Sequence, residues 1–209
     1  MELAFTNQTF KIAVPKGRIF KQVLNAFESS GYPLEGESDR SLVFINPTLG
    51  VALIPLKSED VLTFVDQSLC DAGVLGLDIL MENGQERLIY RGLSMGRCRL
   101  AIAGQPMEKI SERRFIRVAS KYPNLAQDFI KKLGMAGEVI SMKSSVEVAP
   151  LLGMADCILD IIETGSTLKA NGLEEWFPLF DITSKLIMPY RHSNPFPAEI
   201  ERIFDDLLN

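Results

Sequence analysis

The chain has 209 residues, 46% of them hydrophobic, and a formal net charge of -5 at pH 7. This length suffices for one large or two small packed domains, and the apolar content argues against disorder. The negative charge without like-charge runs, and the lack of an apolar segment near ~20 residues, argue against a nucleic-acid surface and a transmembrane helix.

Three further features limit the class of protein: the N-terminus, the cysteines and the histidine. The first ten residues lack a basic stretch followed by an apolar one, which predicts a cytoplasmic protein. Cys70, Cys98 and Cys157 are odd in number and lie among apolar neighbours, which favours buried reduced thiols over disulfides or a zinc site. His192 is the only histidine, so a catalytic triad or multi-histidine metal centre would depend on that residue alone.

Strand-then-helix units are predicted in the first part of the chain. Apolar runs predict strands at residues 11–14, 51–56 and 71–76. The helix after the first strand ends at Gly31, the next helix is capped by Ser58, and the third is capped by Asp78. Such alternation is typical of a mostly parallel sheet.

The alternation resumes from about residue 97. Strands are predicted at residues 97–103, 115–119, 138–142 and 157–162, and near 182–188. Pro123 suits the first turn of a helix that ends at Gly134. Pro150 interrupts a short helix over residues 145–152, and a last amphipathic helix begins at Pro197. These elements predict a second α/β domain.

The strongest chemical signal is an apolar strand that ends in acids and turns at once into a Thr-Gly-Ser-Thr loop. Gly165 permits a tight turn around an anion, and hydroxyls and the amides of a helical turn can donate to that anion. The hydroxyls belong to Thr164, Ser166 and Thr167. Asp160 and Glu163 can accept hydrogen bonds from ribose 2′- and 3′-hydroxyls, so a sugar phosphate fits both halves of the segment.

Spacing alone does not distinguish a binding role from a purely structural role for the candidate residues. Residues 164–167 can simply cap a helix, with the two acids on a solvated rim. Lys16 and Arg18 lie in a turn before a helix, where they either grip phosphate oxygens or are merely solvated. Ser144 and Glu147 have the spacing of a capping box, which competes with ligand contact at Glu147.

Two stretches carry a family resemblance. The segment from Asp160 to Thr167 resembles the phosphoribosyl pyrophosphate (PRPP) loop of phosphoribosyltransferases. The run Ser145-Val-Glu-Val-Ala-Pro-Leu-Leu-Gly-Met-Ala-Asp156 ahead of it resembles the signature region of the ATP phosphoribosyltransferase family. Residues 13–18, 38–43, 59–65 and 71–78 resemble further segments of that family in order, so the resemblance covers nearly the whole chain.

The resemblance implies a fold and a reaction. The fold is two α/β domains like those of type II periplasmic binding proteins, with a cleft between them. Domain I would comprise residues 1–92 and 182–209, and domain II residues 93–181. Because the chain ends with the helix after Pro197, it resembles the short form, which lacks a regulatory domain. The reaction is attack of adenine N1 of ATP on C1 of PRPP, with inversion and loss of pyrophosphate, as the first step of histidine biosynthesis.

The resemblance also implies roles for the candidate residues. PRPP would be bound by Asp160, Glu163, Thr164, Gly165, Ser166 and Thr167. ATP and pyrophosphate would be bound by Lys16, Gly17, Arg18, Arg40, Lys57 and Glu147, with Arg18 and Arg40 as the catalytic pair. Mg²⁺ is expected on the substrate pyrophosphate, without metal ligands from protein side chains.

The sequence departs from the family pattern at a few positions. Lys57 stands where arginine is common, Ser68 and Ser144 where glycine is common, and Leu77 where a charged residue is frequent. An arginine-to-lysine change keeps the charge but gives up bidentate geometry. The two serines require backbone angles that a residue with a Cβ tolerates.

The expected partners are ATP, PRPP and other subunits, with neither nucleic acid nor membrane. Short-form subunits are expected to form a homodimer that joins a regulatory subunit resembling histidyl-tRNA synthetase in a hetero-octamer.

Two alternative functions remain open. One is a purine or pyrimidine phosphoribosyltransferase, which shares the Thr-Gly-x-Thr loop, and the other is a non-catalytic solute-binding protein of the same fold, whose exported members carry a signal sequence.

Overall fold

The computed structural model describes residues 9–36, 38, 41–106, 113–189 and 196–207. The chain divides into two compact units. The first comprises Met1–Leu80, Gln85–Gly96 and Thr183–Asn209, and the second comprises Met81–Gly84 and Arg97–Ile182. The divisions predicted after residues 92 and 181 therefore fall after residues 96 and 182, and a short segment at 81–84 groups with the second unit.

Strands and helices alternate along both units. The strands are β1 (Phe10–Pro15), β2 (Phe44–Asn46), β3 (Val51–Leu56), β4 (Ala72–Gly76), β5 (Ile89–Gly92), β6 (Cys98–Gly104), β7 (Phe115–Ser120), β8 (Ala136–Ser141), β9 (Cys157–Ile162), β10 (Glu174–Ile182) and β11 (Ser184–Ile187). The helices are α1 (Arg18–Ser29), α2 (Ser58–Asp66), α3 (Leu77–Glu82), α4 (Pro123–Leu133), α5 (Val148–Leu151), α6 (Ser166–Ala170) and α7 (Ala198–Asp205). A 3-10 turn lies at Glu86–Leu88.

The first unit is built on a six-stranded sheet with the order β2-β3-β1-β4-β11-β5. β1 runs parallel to β3 and β4 and is buried almost throughout, as expected of a strand covered on both faces. β2, β5 and β11 pair antiparallel, so the sheet is mixed and the prediction of a mostly parallel sheet is wrong. The antiparallel pairs come from short strands that lie outside the strand-then-helix alternation.

The last helix packs on the first unit, which explains its apolar stripe. Phe204 of α7 meets Phe27 of α1 edge to face, with ring centroids 6.2 Å apart, and both side chains are fully buried. Burying a phenylalanine contributes ~1.5–3 kcal/mol. Arg91 of β5 bridges Glu201 at 2.6 Å and also contacts Asp205, but these solvent-accessible pairs, in which Arg91 is 27% exposed, add less than the apolar contacts.

The second unit is built on a five-stranded sheet with the order β10-β6-β9-β7-β8. β7 runs parallel to β8 and β9, so the carboxyl ends of these three strands meet at one edge of the sheet. β10 was not predicted. It pairs antiparallel with β6 through two register shifts, one of them just after Pro178, and these irregularities break the two-residue alternation that reveals a strand.

Helix boundaries agree with the sequence prediction in α4 and, within two residues, at the end of α1 and the start of α7, and they differ in α2, α3 and α5. α4 begins at Pro123, and Gly134 follows it in the left-handed conformation (φ 65°). α2 has Lys57 at its N-cap position without a side-chain capping bond, so Ser58 lies inside the helix and does not cap it. Asp78 likewise lies in the first turn of α3. α5 spans four residues of the predicted 145–152.

The cysteines are free thiols in different environments. Cys70 and Cys157 are buried, and burial raises the pKa of each to about 12, so both stay protonated at neutral pH. Cys98 is only half-buried, contrary to the prediction. His192 lies outside the described residues. Within the parts of the chain that the structure describes, no helix is both long enough and apolar enough to span a bilayer.

Two serines adopt the left-handed backbone conformation that normally selects glycine. Ser68, which follows α2, has φ 56°, and Ser145, which precedes α5, has φ 53°. Ser68, at a position where glycine is common in the family, thus has an angle that a residue with a Cβ tolerates poorly, contrary to the expectation. At the second departure, the positive φ belongs to Ser145 and not to Ser144.

We expect Ser68→Gly to raise the free energy of unfolding by roughly 1 kcal/mol, because glycine enters the left-handed region without the clash that a Cβ causes. Urea denaturation of the purified variant measures this change. Ser68→Ala is the matched control, since it removes the hydroxyl but keeps the Cβ. An equal gain from the alanine variant would show that backbone strain is not the cause.

Candidate functional site

The predicted loop lies at the carboxyl edge of the second unit's sheet. Asp160 is in β9 and is 7% exposed, whereas Glu163 follows the strand and is exposed. Gly165 has φ 74° and occupies the N-cap position of α6. A Cβ there would meet Ile162 at an ordinary 3.8 Å, so the left-handed angle, rather than lack of space, favours glycine.

The hydroxyl groups of this loop lie at the surface and close together. Oγ1 of Thr164 is 3.0 Å from Oγ of Ser166, and the amide of Ser166 donates to the same Oγ1 at 3.3 Å. The N-cap residue of α6 is a glycine, so that residue has no side chain to cap the helix. The bond from Ser166 is a local turn contact, so the hydroxyls of Ser166 and Thr167 are placed at the helix start without serving as its cap.

Lys121 contacts a predicted site residue, and sequence analysis did not select it. It immediately follows β7, the parallel neighbour of β9, and its Nζ lies 3.4 Å from Oδ2 of Asp160. The side chain of Lys121 is 39% exposed and that of Asp160 is 10% exposed. The sequence contained an indication of this contact, because a polar residue just after one parallel strand lies beside the end of the neighbouring strand.

Opposing effects act on the pKa of Asp160. Burial raises its pKa above the ordinary value, and the negative charge of Glu147 acts in the same direction. The cation of Lys121 and a backbone hydrogen bond from Ile161 lower it. Burial is the largest of these effects, so the carboxylate form is costly here and depends on its partners.

Glu147 lies near Asp160 and does not form the predicted capping box. It occupies the N-cap position of α5 with helical backbone angles, and no side chain caps that helix. The capping-box reading of Ser144 and Glu147 is therefore wrong. Half-buried Glu147 is thus one of the charged groups around Asp160.

A second group of predicted residues gathers in the first unit. β1 and β3 are parallel with Pro15 opposite Leu56, and the amide of Lys16 donates to the carbonyl of Leu56 at 2.8 Å. Lys16 and Lys57 consequently follow neighbouring strand ends, and both are exposed. Arg18 is the first residue of α1, after Gly17 at φ 93°. Arg40 lies outside the described residues.

These cations occupy positions that helix stability does not favour. Arg18 begins α1 and Lys57 is the N-cap residue of α2, yet the partial positive charge of a helix N-terminus disfavours cations. Neither helix has a side-chain cap, and α1 has no acidic residue in its first turn, whereas α2 has Glu59 and Asp60. Residues that disfavour the local helix in this way are typical of functional sites. Of the two helix starts, that of α1 is the more favourable for binding an anion, because it has no acidic residue in its first turn.

Other polar clusters do not extend these groups. Across the described ranges, no three histidine, cysteine or acidic side chains are arranged to hold a metal ion. A cavity of ≈ 220 Å³ lies by the opposite end of β9, beside Asp156. Two arginines line it, and both pair with Asp156: Nη1 of Arg113 at 2.7 Å and Nε of Arg117 at 3.6 Å. The single carboxylate of Asp156 offsets one of the two positive charges, and the cluster lies at the opposite end of β9 from the predicted loop.

Comparisons with known sequences agree on one family. The family model for HisG, ATP phosphoribosyltransferase, matches residues 57–209. The ATP phosphoribosyltransferase of Geobacillus kaustophilus is 40% identical over 200 residues, which cover 94% of this chain and 95% of that protein. The one from Leptospira biflexa is 33% identical over 201 residues, covering 95% and 98%.

Solved structures agree on the fold. The ATP phosphoribosyl transferase (HisG:HisZ) complex from Thermotoga maritima matches with a TM-score of 0.76 at 28% identity, covering 95% of this chain and 94% of that one. The GluR0 ligand-binding core from Nostoc punctiforme matches with a TM-score of 0.60 at 12% identity, covering 95% and 92%, which bears on the fold alone. The expected fold class, two α/β domains of the type II periplasmic-binding-protein kind, is confirmed.

We expect Asp160→Asn to raise the free energy of unfolding at neutral pH, because it removes a buried charge and keeps the side-chain shape. The folded-state pKa of Asp160 is raised, so its contribution to stability is fully present below the unfolded pKa and is lost as the pH rises through the folded pKa. The gain should therefore shrink in acid.

Denaturant titrations at pH 7 and at about pH 4 test this expectation. Asp128→Asn removes a carboxylate that is 61% exposed on α4, and it serves as the control with little expected effect at either pH. A gain at Asp160 that is equally large in acid, or a loss at neutral pH, would contradict the assignment of burial as the dominant cause.

Proposed function

This chain belongs to the ATP phosphoribosyltransferase family, and we propose from that membership that it joins ATP to PRPP in the first step of histidine biosynthesis. The reaction is a pentosyl transfer: adenine N1 attacks C1 of PRPP with inversion, giving N1-(5-phosphoribosyl)-ATP and pyrophosphate. The observation that carries the proposal is the loop after β9, where surface hydroxyls follow a left-handed glycine and a buried acid.

We propose that this loop binds the ribose 5-phosphate of PRPP. Thr164, Ser166 and Thr167 offer hydroxyl donors, and the conformation of Gly165 turns the backbone around them. Glu163 is exposed at the rim and Asp160 lies within the strand end, where carboxylates accept hydrogen bonds from ribose hydroxyls. The side chain of Asp160 is only 10% exposed, so a small part of its carboxylate is open to the sugar.

We propose that the cations of the first unit bind the phosphate groups of ATP and the pyrophosphate. Lys16, Arg18 and Lys57 would offset the repulsion between two anionic substrates, with Gly17 giving access to the backbone at the start of α1. Arg18 can bind two phosphate oxygens at once, whereas Lys57 acts as a point charge. Arg40 keeps its proposed catalytic role from the family resemblance.

The residues fit a reaction that needs no general base. Adenine N1 already carries a lone pair, so catalysis requires orientation of the two substrates and stabilisation of the departing pyrophosphate. Negative charge develops on that pyrophosphate as its bond to C1 breaks. The proposed roles of Arg18 and Lys16 therefore lie in leaving-group stabilisation, and that of Glu147 in nucleotide contact near the ribose.

Mg²⁺ is the cofactor that we propose. It binds phosphate oxygens with few protein ligands and keeps several of its waters, so a dedicated protein centre is not required. The buried acid of the loop, Asp160, is paired with the cation of Lys121 at 3.4 Å. When bound to the substrate pyrophosphate, the ion neutralises part of its charge.

We propose that the chain is a short-form catalytic subunit that dimerises and joins a regulatory subunit resembling histidyl-tRNA synthetase in a hetero-octamer. Support comes from the Thermotoga maritima structure, which is a HisG:HisZ complex. The chain also spans 95% of the length of its Geobacillus kaustophilus relative. A cytoplasmic location stays a prediction.

Pyrophosphate release distinguishes this function from its rivals. The chain together with its regulatory subunit, Mg²⁺ and PRPP should release pyrophosphate with ATP and not with free purine or pyrimidine bases. Turnover of a free base without turnover of ATP would establish the other phosphoribosyltransferase class. Tight ligand binding without pyrophosphate release from any acceptor would establish a solute-binding protein.

We expect Arg18→Ala to fold and to bind PRPP, but to turn over roughly tenfold or more slowly, because one electrostatic donor to the leaving group is lost. Steady-state kinetics and PRPP calorimetry measure the two effects. Lys21→Ala, which removes an exposed cation one turn further along α1, is the control. Unchanged turnover in Arg18→Ala would rule out a leaving-group role.

We expect Gly165→Val to abolish PRPP binding, because a β-branched residue cannot hold the left-handed turn around a phosphate. Gly172→Val is matched to it: Gly172 has φ 67°, also lies next to α6, and has open space for a Cβ, but lies at the far end of the helix. Calorimetry should show loss of binding only at residue 165. Equal loss in both variants would indicate that backbone damage is the cause.

A further inference from the structure

The ion pair between Lys121 and Asp160 is placed by the sheet itself. β7 and β9 are parallel, and Val118, Ala119 and Ser120 lie opposite Cys157, Ile158 and Leu159. Continuing that register by one residue brings Lys121 opposite Asp160, and the measured separation of Nζ and Oδ2 is 3.4 Å. The two side chains therefore face each other because of strand alignment.

Hydrogen bonds of Ser120 fix the backbone on which Lys121 lies. The buried hydroxyl of Ser120 donates to the carbonyl of Leu159 at 2.7 Å and accepts from the amide of Tyr122 at 2.9 Å. Its carbonyl accepts from the amide of Met142 at 2.9 Å. Lys121 thus leaves the sheet at a point tied to both neighbouring strands, which restricts where its ammonium group can go.

The charges around Asp160 come from several elements. Lys121 approaches from the end of β7, Glu147 from the start of α5, and Glu163 follows β9 itself, whereas β6 presents Ala101 directly opposite. Glu147 and burial oppose the ionised form, and Lys121 favours it. The carboxylate that would accept hydrogen bonds from the sugar hydroxyls thus depends on this lysine.

We propose that Lys121 is a positioning residue for PRPP, which keeps Asp160 ionised and directed at the ribose hydroxyls without touching the substrate itself. This inference rests on the proposed function of the loop. A carboxylate offers acceptors at both oxygens, whereas a protonated carboxyl turns one oxygen into a donor that competes with the sugar hydroxyls.

The affinity for PRPP with Mg²⁺, measured by calorimetry at neutral pH, tests the proposal. Lys121→Met should weaken binding about tenfold, the typical cost of an impaired hydrogen bond to a charged group. Lys121→Arg retains a cation and should restore most of the affinity. Lys131→Met, which removes an exposed lysine of α4 whose side chain is 67% accessible, should leave the affinity unchanged.

A double-mutant cycle separates positioning from direct contact. If Lys121 acts through Asp160, Lys121→Met should cause no further loss of affinity in the Asp160→Asn background. An equal loss in both backgrounds would mean that Lys121 acts on PRPP directly, and would overturn the proposal. Unchanged affinity in the single variant would overturn it as well.

The pH profile provides a readout that a merely structural role would not change. Without Lys121 the pKa of Asp160 should rise further, so PRPP binding should weaken at a higher pH than in the wild type as the solution is acidified. Coincident profiles would reject the proposal. If Asp160→Asn removes all measurable binding, this profile decides alone.

Failure of this inference differs from failure of the proposed function. A wild-type chain that releases no pyrophosphate from ATP and PRPP with its regulatory subunit would defeat the function. A wild-type chain that turns over normally while Lys121→Met binds PRPP as tightly would defeat only the role of Lys121.

Discussion

The cost of keeping a carboxylate at the buried end of a strand governs the arrangement around Asp160. An ionised acid that is 7% exposed must find its compensation from the protein, because it has lost most of its hydration. The parallel alignment of β7 and β9 supplies that compensation as Lys121. The chemistry of the loop therefore depends on the register of the sheet as much as on the residues of the loop.

The fold was predictable where burial is uniform and unpredictable where pairing is irregular. The strands at residues 51–56 and 157–162 were predicted with their observed limits, because both are continuous apolar runs. β10 was missed because its register shifts hide its periodicity, and β2 is too short, at three residues, to show any. The mixed character of the first sheet was mispredicted because strand direction is set by tertiary pairing, which local patterns do not encode.

The two candidate groups were predicted unequally for a similar reason. Residues contiguous in sequence, such as those around Gly165 and Arg18, could be proposed from their order together with the family resemblance, and the structure places them at a loop and at a helix start. Lys121 is 39 positions from Asp160, so their contact follows only from alignment of two strands. The positive φ lies at Ser145 and not at Ser144, so the departure from the family pattern at Ser144 did not predict which residue takes the left-handed angle.

The position of β11 bears on how the chain assembles during synthesis. This strand lies between β4 and β5 in the first sheet, and β5 joins that sheet only through it. Most of the residues of the second unit are contiguous and precede β11 in the chain. A ribosome therefore delivers the second unit while the first unit still lacks the strand between β4 and β5, so the unit whose synthesis begins first is completed last.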